Sequence, residues 1–343
     1  MKPITVAIVG GGMYGAKHVE CFRGDGRARV KWMGVRSGAS LAQWSRDPRV
    51  ERATQDLGEV LRDPDVDAVV VTTPPGSHAE LALAVLRAGK HLLLEKPMAA
   101  TRAQAAAVVE EAARRPGQVV LEASCRHARL QPKFAFVKAL LDAGRLGTVY
   151  HVHHVMLSPD TFLDWNPNGR WALDRAQAGG GPLFDWGEYD LSFHLGVLGD
   201  APALRQVAAF QRGGLRTVSG DVEQHAAALL TFDGGLTYAY ERGAGVHGEA
   251  RSETRIHGTR GGLRFSYLSW DPPEVELFHE GADGRPAREV LTVDMSGHRF
   301  DDNVPLVAHF LDCVQGKATP AMPVARAYKH LDIILRIYEA EAG

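Results

Sequence analysis

The chain has 343 residues, of which 45% are hydrophobic and 23% charged, and its formal net charge is −2. That length exceeds what one core usually accommodates and points to two domains, while the near-neutral charge gives no footing for nucleic acid or an anionic membrane as partner. Cys21, Cys125 and Cys313 are odd in number and far apart, which argues against a disulfide framework or a zinc site and fits a reducing cytoplasm. The apolar run after Lys2 is too short for a signal peptide, and no stretch approaches the ~20 apolar residues of a membrane span.

The first third alternates short apolar runs with amphipathic ones. Thr5–Val9 reads as a buried strand, Tyr14–Arg23 as the helix after it, Val30–Val35 as a second strand, and Leu41–Arg46 as the opening of a short helix. Ala68–Thr72 is a third strand, continuous in β-branched residues as buried parallel strands are. Ser77–Ala88 has helical spacing and stops at Gly89; Leu92–Leu94, Arg102–Arg115 and Val119–Glu122 follow as strand, helix and strand. This alternation implies right-handed βαβ units in a parallel sheet. After about Ala123 the rhythm changes: a helix over Pro132–Ala143, a strand over Val149–Met156, then period-2 runs from Gln206 to Val293 separated by glycine turns. Two helices, Val304–Gln315 and Val324–Ala340, close the chain. The expected fold class is α/β: a Rossmann-type doubly wound parallel sheet over 1–122, then an α+β domain over 123–343 with a large, mostly antiparallel open sheet. The last helix is expected to return to the first domain.

Gly10-x-Gly12-x-x-Gly15 sits where the first strand becomes a helix. Gly10 permits the tight turn, Gly12 lets the backbone approach a pyrophosphate, and Gly15 lets helix and strand pack closely. The free N–H groups of Met13 and Tyr14 and the positive end of the helix dipole then face the phosphates. An acidic residue about 20 positions on would grip the ribose hydroxyls of NAD. Here the second strand ends in Val35-Arg36-Ser37. Arg36 can pair with an adenosine 2′-phosphate and Ser37 can hydrogen-bond to it, so NADP is favoured, with NAD left open.

Thr73-Pro74-Pro75-Gly76-Ser77-His78 follows the third strand, Glu95-Lys96-Pro97 the fourth, and Gly179-Gly180-Gly181-Pro182-Leu183-Phe184-Asp185-Trp186-Gly187 lies mid-chain. In this order they resemble the glucose–fructose oxidoreductase/inositol dehydrogenase/rhizopine-catabolism (Gfo/Idh/MocA) family, with Arg126, the Lys138–Gly147 stretch and Gly316–Pro320 extending the likeness over nearly the whole chain. The resemblance implies a pyridine-nucleotide-dependent oxidoreductase acting on a sugar, a cyclic polyol or a derivative. It also implies a C-terminal sheet that carries the substrate pocket and builds a homo-dimer or homo-tetramer, and a cis peptide before Pro97. Thr73, Pro74, His78, Glu95, Lys96 and Arg126 are the further cofactor-binding residues it implies.

Oxidising a secondary alcohol requires a hydride acceptor and a group that takes the hydroxyl proton. Lys96 comes at the carboxyl end of a parallel strand, where its ammonium can stabilise a developing alkoxide or relay the proton, and Glu95 is expected to orient it. The second group departs from the family pattern D-x-G-x-H-x-x-D: here Tyr189 stands in the histidine position and Ser192 in that of the last aspartate. Tyrosine can serve as acid or base if a hydrogen bond relays its proton. Asp185 is assigned to substrate hydroxyls. Glu188 and Asp190 read as solvated or structural, and helical spacing turns His194 off the Asp185/Tyr189 face. Trp165, Asn166, Arg170 and Trp171 offer aromatic faces and donors for a pyranose, or they hold down a long loop. His151, His153 and His154 lie on one strand and only alternate residues share a face, so no metal is expected. A non-catalytic dinucleotide-dependent regulator and an NAD-dependent glycosidase of the same family stay open as alternatives.

Overall fold

Ile4–Val9 (β1) is buried at all six positions, the pattern of a strand covered on both faces. It is the centre of the first sheet in this computed structural model, which describes residues 2–200, 202–216, 220–298 and 301–341. Contacts divide the chain into two compact units, 1–126 with 301–329, and 127–300 with 330–343.

In the first unit β1 is followed by α1 (Met13–Asp25), β2 (Ala28–Gly34), α2 (Gly38–Trp44), β3 (Arg52–Thr54) and α3 (Leu57–Arg62). Then come β4 (Ala68–Val71), α4 (His78–Arg87), β5 (His91–Leu94), α5 (Arg102–Ala113) and β6 (Val120–Glu122). The six strands are parallel in the order β3-β2-β1-β4-β5-β6. The order reverses between β1 and β4, and in open α/β sheets ligands bind outside the carboxyl ends of the strands at such a switch point. β3 and α3 are absent from the sequence reading. β3 is a three-residue edge strand with one buried side chain, Thr54, and carries no periodicity to detect. α2 starts earlier than expected because the Ser37 hydroxyl accepts from the Ser40 N–H and caps it.

The second unit opens with α6 (Pro132–Asp142), β7 (Val149–Ser158), two single-turn helices, α7 (Phe162–Trp165) and α8 (Arg175–Ala178), and α9 (Pro182–Val197). Seven strands follow: β8 (Leu204–Arg212), β9 (His225–Phe232), β10 (Thr237–Ala244), β11 (Arg251–Gly258), β12 (Gly261–Phe265), β13 (Glu274–Glu280) and β14 (Pro286–Thr292). With β7 they form an eight-stranded sheet, β14-β13-β12-β11-β7-β10-β9-β8, antiparallel except where β7 pairs with β10. Buried and open residues alternate along β9 and β10, so one face is a core face and the other is not.

α10 (Asn303–Val314) belongs to the first unit, and α11 (Val324–Glu341) contains the last division of the chain. Sequence alone places one boundary after residue 122 and expects the last helix to return to the first domain, whereas most of α11, from residue 330 on, falls in the second unit. The structure returns 301–329 to the first unit because α10 packs its apolar stripe on α1. Phe310 meets Phe22 edge-on at 6.3 Å, and Asp312 and Asp301 pair with Arg27 and Lys17. Among the described residues no helix is long and apolar enough to cross a membrane.

Candidate functional site

The glycine turn between β1 and α1 divides its labour among its three glycines. Gly10 has φ +118°, and a Cβ there would lie 2.6 Å from Thr72 Oγ1. A Cβ on Gly15 would lie 1.8 Å from the Gly10 carbonyl oxygen, so the helix can approach the turn only without a side chain. A Cβ on Gly12 would meet nothing within 4 Å, so this glycine is required by nothing in the protein itself. Gly12 is the N-cap of α1, no side chain caps it, and the first turn holds no acidic residue. The N–H groups there are left for an outside acceptor, and a pyrophosphate fits that cradle. Met13, at the first helical position, is half exposed. Arg36 and Ser37 are exposed at the end of β2, and the Arg36 carbonyl accepts from Gln55 Nε2 at 2.7 Å.

At the end of β4, Thr73 and Pro74 enter a 3-10 turn in which Ser77 Oγ donates to Thr73 Oγ1 at 2.7 Å. His78 is fully buried, with its ring nitrogens 2.7 Å from the Pro97 carbonyl and 2.6 Å from the Thr73 carbonyl. It braces the two segments against each other. The Lys96–Pro97 peptide is cis, as the resemblance implies. Lys96 is half-buried after β5. The Glu95 carboxylate, expected to orient Lys96, holds two other groups: Oε1 accepts from Arg126 Nη1 at 2.6 Å and from His18 Nε2 at 2.8 Å. Burial pushes the Glu95 carboxyl up, but the Arg126 charge and the His18 hydrogen bond overcome it and hold the group well below the usual carboxylate range. Arg126, itself fully buried, also donates to Asn303 Oδ1 at 2.9 Å and lies 4.8 Å over the Tyr14 ring. Arg126 and Tyr14 are therefore fastened to the wall that carries Lys96. Sequence reasoning missed His18 and Asn303, which carry no motif.

In the second unit the glycine run ends at the N-terminus of α9, with Gly181 as its cap and Pro182 at the first helical position. The buried Glu223 carboxylate accepts from the Gly181 N–H at 2.8 Å and the Leu183 N–H at 3.0 Å. The bare glycines are needed because a Cβ on Gly181 would lie 1.9 Å from the Glu223 carbonyl oxygen, and one on Gly180 would collide with Tyr338. α9 places Asp185 and Tyr189 one turn apart, with Asp185 half-buried and Tyr189 1% exposed. Tyr189 lies in an aromatic cluster: His127 at 4.6 Å and Trp186 at 5.3 Å between ring centroids, with Trp270 5.3 Å beyond His127.

Behind this cluster, on the sheet side of α9, Asp190 is fully buried and structural rather than solvated. It accepts from Tyr240 and Tyr267 at 2.7 Å and from Arg242 at 2.8 and 3.0 Å. His194 faces the same interior, bonded to Tyr238 and Thr254, and burial pushes its imidazole well below the ordinary range. It stands off the Asp185/Tyr189 side, as its spacing predicts.

The loop candidates are spread over short elements. Trp165 ends α7 and is exposed, the Asn166 carbonyl accepts from the Gly169 N–H, Arg170 is exposed, and Trp171 packs edge-on against Phe162 at 5.7 Å. None of the ring contacts described for Tyr189 comes from this loop; they come from His127 and Trp186. On β7, His151 bonds Thr237 and His154 bonds Thr254, on opposite faces. Among the described residues no group of three or more His, Cys, Asp or Glu is arranged to hold a metal.

A family profile described as "Oxidoreductase family, NAD-binding Rossmann fold" matches residues 4–123, and a profile of the GFO/IDH/MocA C-terminal domain matches 134–264. The levoglucosan dehydrogenase of Pseudarthrobacter phenanthrenivorans is 27% identical over 319 residues, 85% of this chain and 81% of that protein. The 1,5-anhydro-D-fructose reductase of Ensifer adhaerens is 30% identical over 229 residues, 65% of this chain and 63% of that protein. The crystal structure of GenD2 from gentamicin A biosynthesis in complex with NAD superposes with a TM-score of 0.82 at 26% identity, over 100% of this chain and 95% of that one.

Proposed function

The chain belongs to the Gfo/Idh/MocA oxidoreductase family, and from that premise we propose that it interconverts a secondary alcohol and the corresponding carbonyl on a sugar, a cyclitol or a derivative, with NADP preferred to NAD. The observation that carries the reading is Lys96, kept at the carboxyl end of β5 between an anchored Glu95 and a cis Pro97. A chain that only sensed nucleotide would have no use for an ammonium there.

When bound, the nicotinamide supplies or accepts the hydride. The rest falls to the protein. Lys96 donates to the substrate oxygen and stabilises the negative charge that develops on it. Tyr189 gives or takes the hydroxyl proton, and Asp185 accepts from a neighbouring hydroxyl and orients the ring. Glu95 and Arg126 act through position: their buried ion pair keeps the strand end that carries Lys96 from shifting. Met13, Tyr14, Thr73 and Pro74 are assigned to the nucleotide, and Trp165, Asn166, Arg170 and Trp171 to the outer part of the substrate.

The preference for NADP rests on Arg36 and Ser37, which end β2 with a guanidinium and a hydroxyl where an acidic side chain would grip NAD. The open face of the eight-stranded sheet supports a homo-oligomer. Phe210 and Leu229, 48% and 49% exposed, stand there beside Ala208, Ala227 and Ala239 around a shallow depression of about 400 Å³.

The test is a spectrophotometric screen of NADP and NAD reduction against a panel of sugars and cyclitols, repeated with Lys96→Ala and Tyr189→Phe. Each variant should lower kcat by about 10²- to 10⁴-fold. Tight nucleotide binding with no turnover of any panel member would replace this reading with that of a regulator.

A further inference from the structure

Trp270 is the most exposed tryptophan of the aromatic cluster around Tyr189, with 46% of its surface open. The turn from Ser266 to Asp271 that carries it is bolted to the start of α6. Lys133 Nζ, whose side chain is buried, donates to three of its carbonyls: Ser266 at 3.0 Å, Leu268 at 2.6 Å and Asp271 at 3.0 Å. Gln131 Nε2 donates to a fourth, that of Tyr267, and Ser266 Oγ donates to Asp271 Oδ2 across the turn. Burial lowers the Lys133 ammonium to about 8, so it is largely protonated at neutral pH and its three N–H donors match three acceptors.

Burying an ammonium is costly, and here the outlay fastens one turn. What the turn presents is the Trp270 indole, edge-on to His127 (5.3 Å, 83°) and to Trp186 (6.2 Å, 80°). Trp186 itself has little ring face to offer. His127 stacks on it at 5.7 Å and the Arg242 guanidinium lies 4.9 Å from its centroid. Trp270 is thus the ring of this cluster left half open.

We propose that Trp270 is the specificity-determining wall of the substrate site, stacking on the apolar C–H face of a pyranose-type ring, and that Lys133 is the positioning residue that holds it there. The inference rests on the reading of Tyr189 and Asp185 as substrate-facing and deepens it by naming the ligand feature that is selected. Rings with one face free of hydroxyl oxygens are preferred, because only such a face meets an indole without stranding polar groups.

The experiment measures sugar binding by saturation-transfer NMR on the nucleotide-loaded protein, alongside steady-state kinetics, for wild type, Trp270→Phe, Trp270→Ala, Lys133→Met and the Lys133→Met/Trp270→Ala double variant. Trp270→Ala should weaken sugar binding and raise the sugar KM about tenfold, with kcat and nucleotide affinity within about threefold of wild type, and Trp270→Phe should fall between. Lys133→Met should raise the sugar KM in the same way, and the double variant should be no worse than Trp270→Ala, since one residue acts through the other. Unchanged sugar binding in Trp270→Ala overturns the inference while leaving the oxidoreductase reading intact. Wild type that neither binds nor turns over any carbohydrate of the panel removes both. The Trp270 variants change a half-exposed side chain and keep the question open to measurement even where Lys133→Met folds poorly.

Discussion

Arg242 meets Asp190 in a two-pronged contact, with Nε 3.0 Å from Oδ2 and Nη2 2.8 Å from Oδ1, and both side chains are buried. Burial alone would push the Asp190 carboxyl up, but the Arg242 charge and the His154 contact hold it far below the carboxylate range. Removing one partner strands the other. Asp190→Asn should destabilise the protein by about 3–5 kcal/mol in urea unfolding, while Asp190→Leu combined with Arg242→Met should cost less than the sum of the two single changes. A loss below about 1 kcal/mol in Asp190→Asn would show that the pair contributes little.

The glycine turn makes opposite forecasts for neighbouring residues. Gly12→Ala places a methyl where the protein has no atoms within 4 Å, so stability should fall by no more than about 1 kcal/mol while nucleotide affinity drops at least about tenfold. Gly15→Ala drives a Cβ to 1.8 Å from the Gly10 carbonyl and should cost roughly 1–3 kcal/mol or more in stability. Thermal unfolding and nucleotide titration of both variants check this. Undiminished nucleotide affinity in Gly12→Ala would move the pyrophosphate elsewhere.

Glu95 has a folded carboxyl held below its unfolded value, so its contribution to stability is present above about pH 4 and is lost as pH falls further. Glu95→Gln lacks that proton uptake. Its stability should decline less steeply than wild type between about pH 4 and pH 3, measured by denaturant midpoints. Parallel curves for the two proteins would mean that Glu95 does not govern acid stability.

Arg36→Ala should weaken NADP binding about tenfold or more and leave NAD binding within about twofold, since the guanidinium is exposed and only a 2′-phosphate calls for it. Equal losses for both nucleotides would give Arg36 a structural role and withdraw the preference.

Leu229→Glu, with Phe210→Ser as a milder companion, should shift the sedimentation coefficient of the protein toward that of the 37.2 kDa monomer. Both side chains are half exposed, so neither change touches the core. An unaltered sedimentation profile would place any interface elsewhere.

Much of the first unit was legible because its strands are continuous runs of buried apolar residues, as in Ala68–Val71, where no polar residue confuses the period. The Ser37 cap was not legible, and α2 therefore starts earlier than its sequence pattern suggests. Arg52–Thr54 was illegible because an edge strand of three residues takes its conformation from its neighbour β2. Lys96, Asp185 and Tyr189, the proposed site residues, were picked out by the motifs of the family resemblance, but no motif marked the groups packed around the site. His127, Gln131, Lys133, Glu223, Arg242 and Trp270 are ordinary polar or aromatic residues at unremarkable positions, and what they do depends on partners distant in sequence, 138 residues away for the bond from Lys133 to the Asp271 carbonyl.

By itself the sequence determined the glycine spacing of the phosphate turn and the order of the longer strands and helices, since both depend on interactions within a few residues of chain. The tertiary structure alone decided that the Glu95 carboxylate would go to Arg126 and His18, that Asp190 would be an interior charge, and that a buried lysine would hold Trp270 half open. Those outcomes are set by which groups lose water together, and no local pattern records that.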